Sequence, residues 1–185
     1  MKVNQTNLVD CVQIFPKIIT DHRGTFVKPF HFDSFKDNNL RTDIKEQYYS
    51  TSTKGVLRGL HFQAPPKEHV KLVYCMKGDI IDAVVDLRVG SPTYGHYDLF
   101  HLDGEKKNMI YIPEGMAHGF YVSSKEAVVV CLLTSTFSSE CDSGIRWDSL
   151  DIPWPNRNPI LSKKDKELPS LDEFNSPFLY RGEEQ

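Results

Sequence analysis

No run of apolar residues in this 185-residue chain approaches the roughly 20 needed to cross a bilayer as a helix. The opening stretch MKVNQTNLVDC carries no apolar segment of the kind that directs secretion, so a cytoplasmic protein is expected. Net charge is small, −3 at pH 7, which leaves no overall basic field to hold nucleic acid or an anionic membrane. A local basic pocket for a small anion is still open. Cysteine is sparse: Cys11, Cys75, Cys131 and Cys141 form no CxxC pair. Cys75 and Cys131 sit inside apolar runs, where cysteine acts as a small buried hydrophobe, and reduced thiols are expected. Metal-ligand spacing is missing as well. His61, His69, His96, His101 and His118 stand singly, without the HxH pair, Glu and later His of a mononuclear metal barrel, so no metal is expected.

What the chain does have is strand. KLVYCM, IIDAVVDL, YDLFHL, NMIYIP, GFYVSS and EAVVVCLLTSTF are rich in Val, Ile and aromatics, and KGD, RVGSPTYG, GEKKN, EGMAHG and SKE separate them. This order argues for an all-β sandwich or barrel over βαβ units, with a jelly-roll barrel as first choice. FDSFKDN and LSKKDKEL are the two short helical stretches. From about residue 151 the Pro- and Asn-rich DIPWPNRNPILS reads as a C-terminal tail packed over the domain. With 39% hydrophobic and 25% charged residues, positions 1–185 fit one domain with a sizeable core.

Several polar side chains interrupt this apolar frame in GVLRGLHFQAPPKEHVKLV. If residues 56–62 are extended, Arg58 and His61 point to opposite faces, unless a bulge at Gly59 re-aims one of them. Taken singly, Arg58 suits a surface salt bridge and Lys71, at the head of KLVYCM, suits a lysine reaching out to water. His118, between Gly115 and Gly119, is expected at the mouth of a turn. A histidine base works best when a carboxylate fixes its tautomer. Asp82, Asp86 and Asp165 are all available for that, spacing does not choose among them, and Asp86 could equally pair with Arg88.

Six segments stand together in order: DHRGTF, GVLRGLHFQ, VKLVYCMKGDIIDAVVDLRVGSPTYG, IPEGMAHGF, GIRWDSLDIPWP and ILSKKDKELP. In this the chain resembles the cupin-type epimerases of nucleotide-linked 4-keto-6-deoxy sugars, best known from the dTDP-4-dehydrorhamnose 3,5-epimerases. The resemblance implies a jelly-roll (cupin) barrel that needs neither metal nor cofactor, usually a homodimer, with the sugar held inside. It implies that His61 is the base and that Asp165 completes a His–Asp pair with it. Lys71 would lie near the sugar's C4 oxygen, His118 would line the same pocket, and Arg23 and Arg58 would hold the diphosphate. The chemistry is coherent on its own terms. A C4 ketone makes the C3 and C5 hydrogens removable, because the carbanion delocalises onto oxygen; removal needs a base tuned near neutral pH and positive charge where the enolate develops.

The chain also departs from that pattern. In the 3,5-epimerases a tyrosine associated chiefly with reprotonation at C5 precedes a short [AS]PE stretch. Here TSTFSSE puts Phe137 at that place, and phenylalanine has no proton to give. Inversion of C3 alone is therefore expected, with water or another donor such as Tyr121 or Cys131 acting. The DxRGxFxE motif reads DHRGTFVK, which keeps Phe26 but sets Lys28 in place of the glutamate. QxNxSxS reads EQYYSTS, with Glu46 and Tyr48 at the Gln and Asn positions. These changes favour a purine carrier, since Glu46 could accept from guanine N1 and N2 hydrogens and Tyr48 could stack; a GDP-linked heptose is expected before a dTDP-hexose. The competing readings are a 3,5-epimerase of dTDP-4-keto-6-deoxyglucose, a sugar-nucleotide ketoisomerase and an inert sugar-nucleotide binder. Capsule or lipopolysaccharide synthesis is the setting the resemblance suggests.

Overall fold

Alternation of apolar side chains along the strands builds two facing sheets in the computed structural model, which describes residues 1–182. In chain order the strands are β1 (Lys2–Gln5), β2 (Val12–Phe15), β3 (Ile18–Asp21), β4 (Gly24–Val27), β5 (Glu46–Thr53), β6 (Leu57–Gln63), β7 (Lys71–Lys77) and β8 (Asp79–Asp86). They continue with β9 (Tyr97–Asp103), β10 (Met109–Ile112), β11 (Met116–Val122), β12 (Glu126–Leu133) and β13 (Asp142–Gly144), and the short helices are α1 (Phe32–Lys36) and α2 (Lys163–Glu167). One sheet runs β1-β2-β10-β7-β12-β5 and the other β13-β6-β11-β8-β9, while β3 and β4 form a separate hairpin. Strands distant in sequence thus lie side by side, as in a jelly roll.

Period-2 alternation sorts the side chains into three layers. Val73, Cys75, Ile80, Val84, Val129 and Cys131 point between the sheets. Leu72, Val130 and Leu132 point outward from the six-stranded sheet and pack on Phe35 of α1. On the far side of the five-stranded sheet, Leu57, Phe62, Val85 and Tyr121 are covered by Ile152, Trp154 and Phe178, so the C-terminal tail does pack over the barrel. Val56 and Ile160 form a bridge that ties the tail down just before α2.

One sequence-based expectation changes here. EGMAHG is not all connection: β11 begins at Met116, and every one of its residues is buried between β6 and β8. No helix among the described residues is long and apolar enough to cross a membrane. All four cysteines are free thiols.

Candidate active site

Between the sheets lies a cavity of about 560 Å³, within the usual size for a small-ligand site. Its walls come from inward-facing residues of β5, β6, β7, β11 and β12, and from the 160–165 segment. The parity problem at Arg58 and His61 is resolved by the bulge that glycine allows. β11 pairs His118 with His61 and Phe120 with Arg58, so Gly59 and Leu60 together oppose the single residue Gly119. Leu57 and Phe62 consequently face the outer layer, while Arg58 and His61 both face the cavity. Only glycine fits this place: Gly59 has φ +135°, and a Cβ there would sit 2.4 Å from Gly119 Cα.

His61 is completed from the C-terminal part of the chain. Its Nε2 lies 2.5 Å from Oδ1 of Asp165, which is only 2% exposed. Ser162 caps α2, its hydroxyl accepting from the Asp165 N–H at 3.1 Å, and this holds the carboxylate in position. Burial alone would raise the Asp165 carboxyl, but the hydrogen bond and charge of His61, aided by Ser162 and Lys164, hold it below the usual carboxylate value. An ionised Asp165 can only accept, so the His61 proton sits on Nε2 and the Nδ1 lone pair is left for chemistry.

Lys71 does not reach out to water. It is 6% exposed, its Nζ donates to the His61 carbonyl at 3.1 Å, and burial pushes it down to about 8. The reason is register: Lys71 shares the inward parity of Val73 and Cys75. His118 likewise is a buried strand residue and not a turn residue, because Gly119 must lie against the β6 bulge and so belongs to the sheet. Its Nδ1 is 3.2 Å from Asp82 Oδ2, and Asp82 is fully buried. Burial, then the charges of Lys71 and His61, drive His118 well down; burial drives Asp82 well up, with Lys71 opposing. A neutral Asp82 would donate its O–H to Nδ1 and leave His118 its own proton on Nε2.

The remaining candidates divide. Arg58, Glu46, Tyr48 and Phe137 line the cavity with His61, Lys71, His118 and Asp165. Arg58 is held by Ser52 Oγ at 2.9 Å and not by a carboxylate, and Glu46 Oε2 accepts the Phe137 N–H at 2.7 Å. Tyr48 is 43% exposed and lies directly opposite the buried Cys131 in the β5–β12 register. Arg23, Phe26 and Lys28 do not line this cavity. They lie on or beside the exposed β3–β4 hairpin, where Arg23 pairs with Asp21 at 2.5 Å. Tyr121 packs under the tail, because its parity in β11 is opposite to that of His118. Asp86 binds Arg88, Ser91 and Thr93 away from the site.

Sequence reasoning gave no site role to Gln63, His69 or Asp142, which line the cavity. Gln63 Nε2 lies 3.1 Å from His69 Nδ1, and burial, with Lys71 and His118, lowers His69 to about 3, so it stays neutral. Among the described residues the one group that could hold a metal, Asp79, His101 and Asp103, is outside the cavity, and Lys106 already pairs with Asp103 at 3.1 Å.

A profile described as dTDP-4-dehydrorhamnose 3,5-epimerase matches residues 5–173. The dTDP-4-dehydrorhamnose 3,5-epimerase of Shigella flexneri is 40% identical over 168 residues, covering 89% of this chain and 93% of its own. The dTDP-4-dehydrorhamnose 3-epimerase of Streptomyces niveus is 35% identical over 182 residues, 97% of this chain and 88% of its own. Among solved structures, the Legionella pneumophila dTDP-6-deoxy-D-glucose-3,5-epimerase in complex with dTDP-4-keto-L-rhamnose has a TM-score of 0.93 at 33% identity, covering 98% of this chain and 99% of its own.

Proposed function

The chain belongs to the dTDP-4-dehydrorhamnose 3,5-epimerase family of isomerases, and from that premise we propose that it inverts C3 of a nucleotide-diphosphate-linked 4-keto-6-deoxy sugar. The observation that carries this reading is the His61–Asp165 pair opening onto a cavity that also holds Lys71. In the proposed step the His61 Nδ1 takes the C3 proton and Asp165 supports the imidazolium that forms, an effect worth roughly 10² to 10⁴ in rate. The electron pair moves onto the C4 oxygen. There the Lys71 ammonium and the His118 Nε2–H meet the developing charge, a contribution of about 3 kcal/mol for each donor in a dry site. Arg58 takes the diphosphate.

Restriction to C3 is supported by Phe137 lining the cavity where a proton donor would be needed for C5. The relative from Streptomyces niveus carries the name of a 3-epimerase, so inversion at one carbon is known by name among the relatives. For the carrier, Lys28 and Glu46 favour a GDP-linked substrate, heptose included. A dTDP carrier is the second reading, favoured by the names of the relatives.

A homodimer is part of the proposal. Ile18, Ile19 and Phe26 on the hairpin are 41%, 49% and 56% exposed, an apolar surface that a second copy would cover. If the hairpin of one copy lies over the cavity mouth of the other, Arg23, Phe26 and Lys28 reach the nucleotide side of that site. Four free thiols fit the cytosol. The deciding experiment is proton NMR in D₂O with GDP- and dTDP-linked 4-keto-6-deoxy sugars, following C3 and C5 separately. Exchange and inversion at C3 alone is the expected outcome. Equal inversion at C5 overturns the single-carbon reading, a moved carbonyl reveals a ketoisomerase, and no exchange with either sugar overturns the enzyme.

A further inference from the structure

Resting on that reading, inversion at C3 requires a proton delivered to the face of the enolate away from His61. His61 and His118 stand on the five-stranded sheet, so the donor belongs on the facing wall. That wall offers Glu46, Tyr48, Ser50, Lys71 and Cys131 from β5, β7 and β12. Lys71 already faces the enolate oxygen, and Glu46 acts as an acceptor for the Phe137 N–H. Ser50 is an aliphatic alcohol, intrinsically a weaker acid than a phenol or a thiol. Tyr48 and Cys131 remain; they are directly opposite one another in the β5–β12 register and both line the cavity.

We infer that Tyr48 is the acid that protonates C3 on the face opposite His61, and that Cys131 stands behind it as a proton relay. In the step the Tyr48 O–H bond breaks, a C3–H bond forms with the enolate electron pair, and the C4 ketone returns. The Cys131 S–H then gives its proton to the phenolate. Burial keeps both groups protonated at rest, Tyr48 above its usual range and Cys131 pushed up to about 11. The Lys71 charge supports the resulting thiolate until solvent restores the proton. The partial exposure of Tyr48 supplies that route. This arrangement replaces the acid missing at Phe137 with one on a neighbouring strand.

The test separates proton removal from proton return. In D₂O, Tyr48→Phe is expected to keep His61-dependent exchange of deuterium into unreacted C3 while inversion falls by roughly 10² to 10⁴. Inversion by Tyr48→Phe at the wild-type rate overturns the inference with the functional reading intact. Absence of exchange in the wild type overturns both. Cys131 gives a second, independent readout: Cys131→Ser, which retains a transferable proton, is expected to invert faster than Cys131→Ala. A packing role predicts the reverse, because a hydroxyl is the worse fit among apolar neighbours. Thermal melts of all three variants confirm that rates are compared on folded protein.

Discussion

Replacing Lys71 by methionine should make the protein more stable and less active at once. The ammonium is depressed from 10.5 to about 8, chiefly by burial, which corresponds to about 3 kcal/mol of penalty for keeping it charged at pH 7. Methionine fills a similar volume without a charge. Against the recovered penalty stands the lost hydrogen bond to the His61 carbonyl, about 1.5 to 3 kcal/mol for a charged donor. A net gain of about 1 kcal/mol is expected, raising Tm by roughly 2–4 °C in a chain of this size. The sign reverses with alkalinity. Because the folded-state pKa lies below the unfolded one, the wild-type penalty is fully present below pH 8 and fades as pH rises to 10.5. Urea unfolding at pH 7 and 9.5 should therefore show the gap shifting towards the wild type by about 1–2 kcal/mol. In the same variant kcat should fall by roughly 10² to 10³, since the enolate loses its cation. A Lys71→Met protein that melts below the wild type at pH 7, with a gap indifferent to pH, refutes the account of Lys71 as a charge held inside for chemistry.

Further outcomes follow from the same geometry. His61→Asn should reduce deuterium exchange at C3 by roughly 10² to 10⁴, and near-wild-type exchange in an NMR time course would remove His61 as the base. Phe137→Tyr should add exchange and inversion at C5, because it returns a phenol to the cavity wall; silence at C5 would mean that the C3 restriction has another origin. Gly59→Ala should cost about 2–4 kcal/mol in urea unfolding, from the clash with Gly119 and the positive φ together. A pH–rate profile should decline above about pH 8 as Lys71 loses its proton, and a flat profile up to pH 9.5 would separate Lys71 from the transition state.

Strands of β-branched and aromatic residues announced the barrel, because burial between two sheets selects those residues directly. β5 announced itself less well: its sequence EQYYSTST lines a polar cavity on one side and meets solvent on the other, so no apolar alternation results. His118 was misplaced because Gly119 reads as a turn residue, whereas a Cβ there would meet the Arg58 carbonyl at 2.6 Å and close packing is the reason for glycine. For Lys71 the rule that lysines reach solvent gave the wrong side, since its parity in β7 turns it between the sheets. Arg58 and His61 could be brought together only through a bulge, and Gly59 was the visible sign of it. The choice of Asp165 over Asp82 and Asp86 was beyond spacing rules, since it depends on a tail that folds back across the barrel. The pairing of Asp82 with His118 and of Tyr48 with Cys131 belongs to sheet register, which a single strand's sequence does not state.

His61 and Asp165 are separated by 104 positions, with the barrel strands synthesised in between. During translation the histidine leaves the ribosome early and the aspartate late, at about 5 to 20 residues per second. A nascent chain can therefore pair its sheets while His61 still lacks its anionic neighbour. Ser162 and the Val56–Ile160 bridge deliver that neighbour only when the last turns of the chain have docked. The His61–Asp165 pair thus forms only when the tail has docked, so a chain clipped ahead of α2 lacks both that pair and the wall of the cavity that residues 160–165 supply.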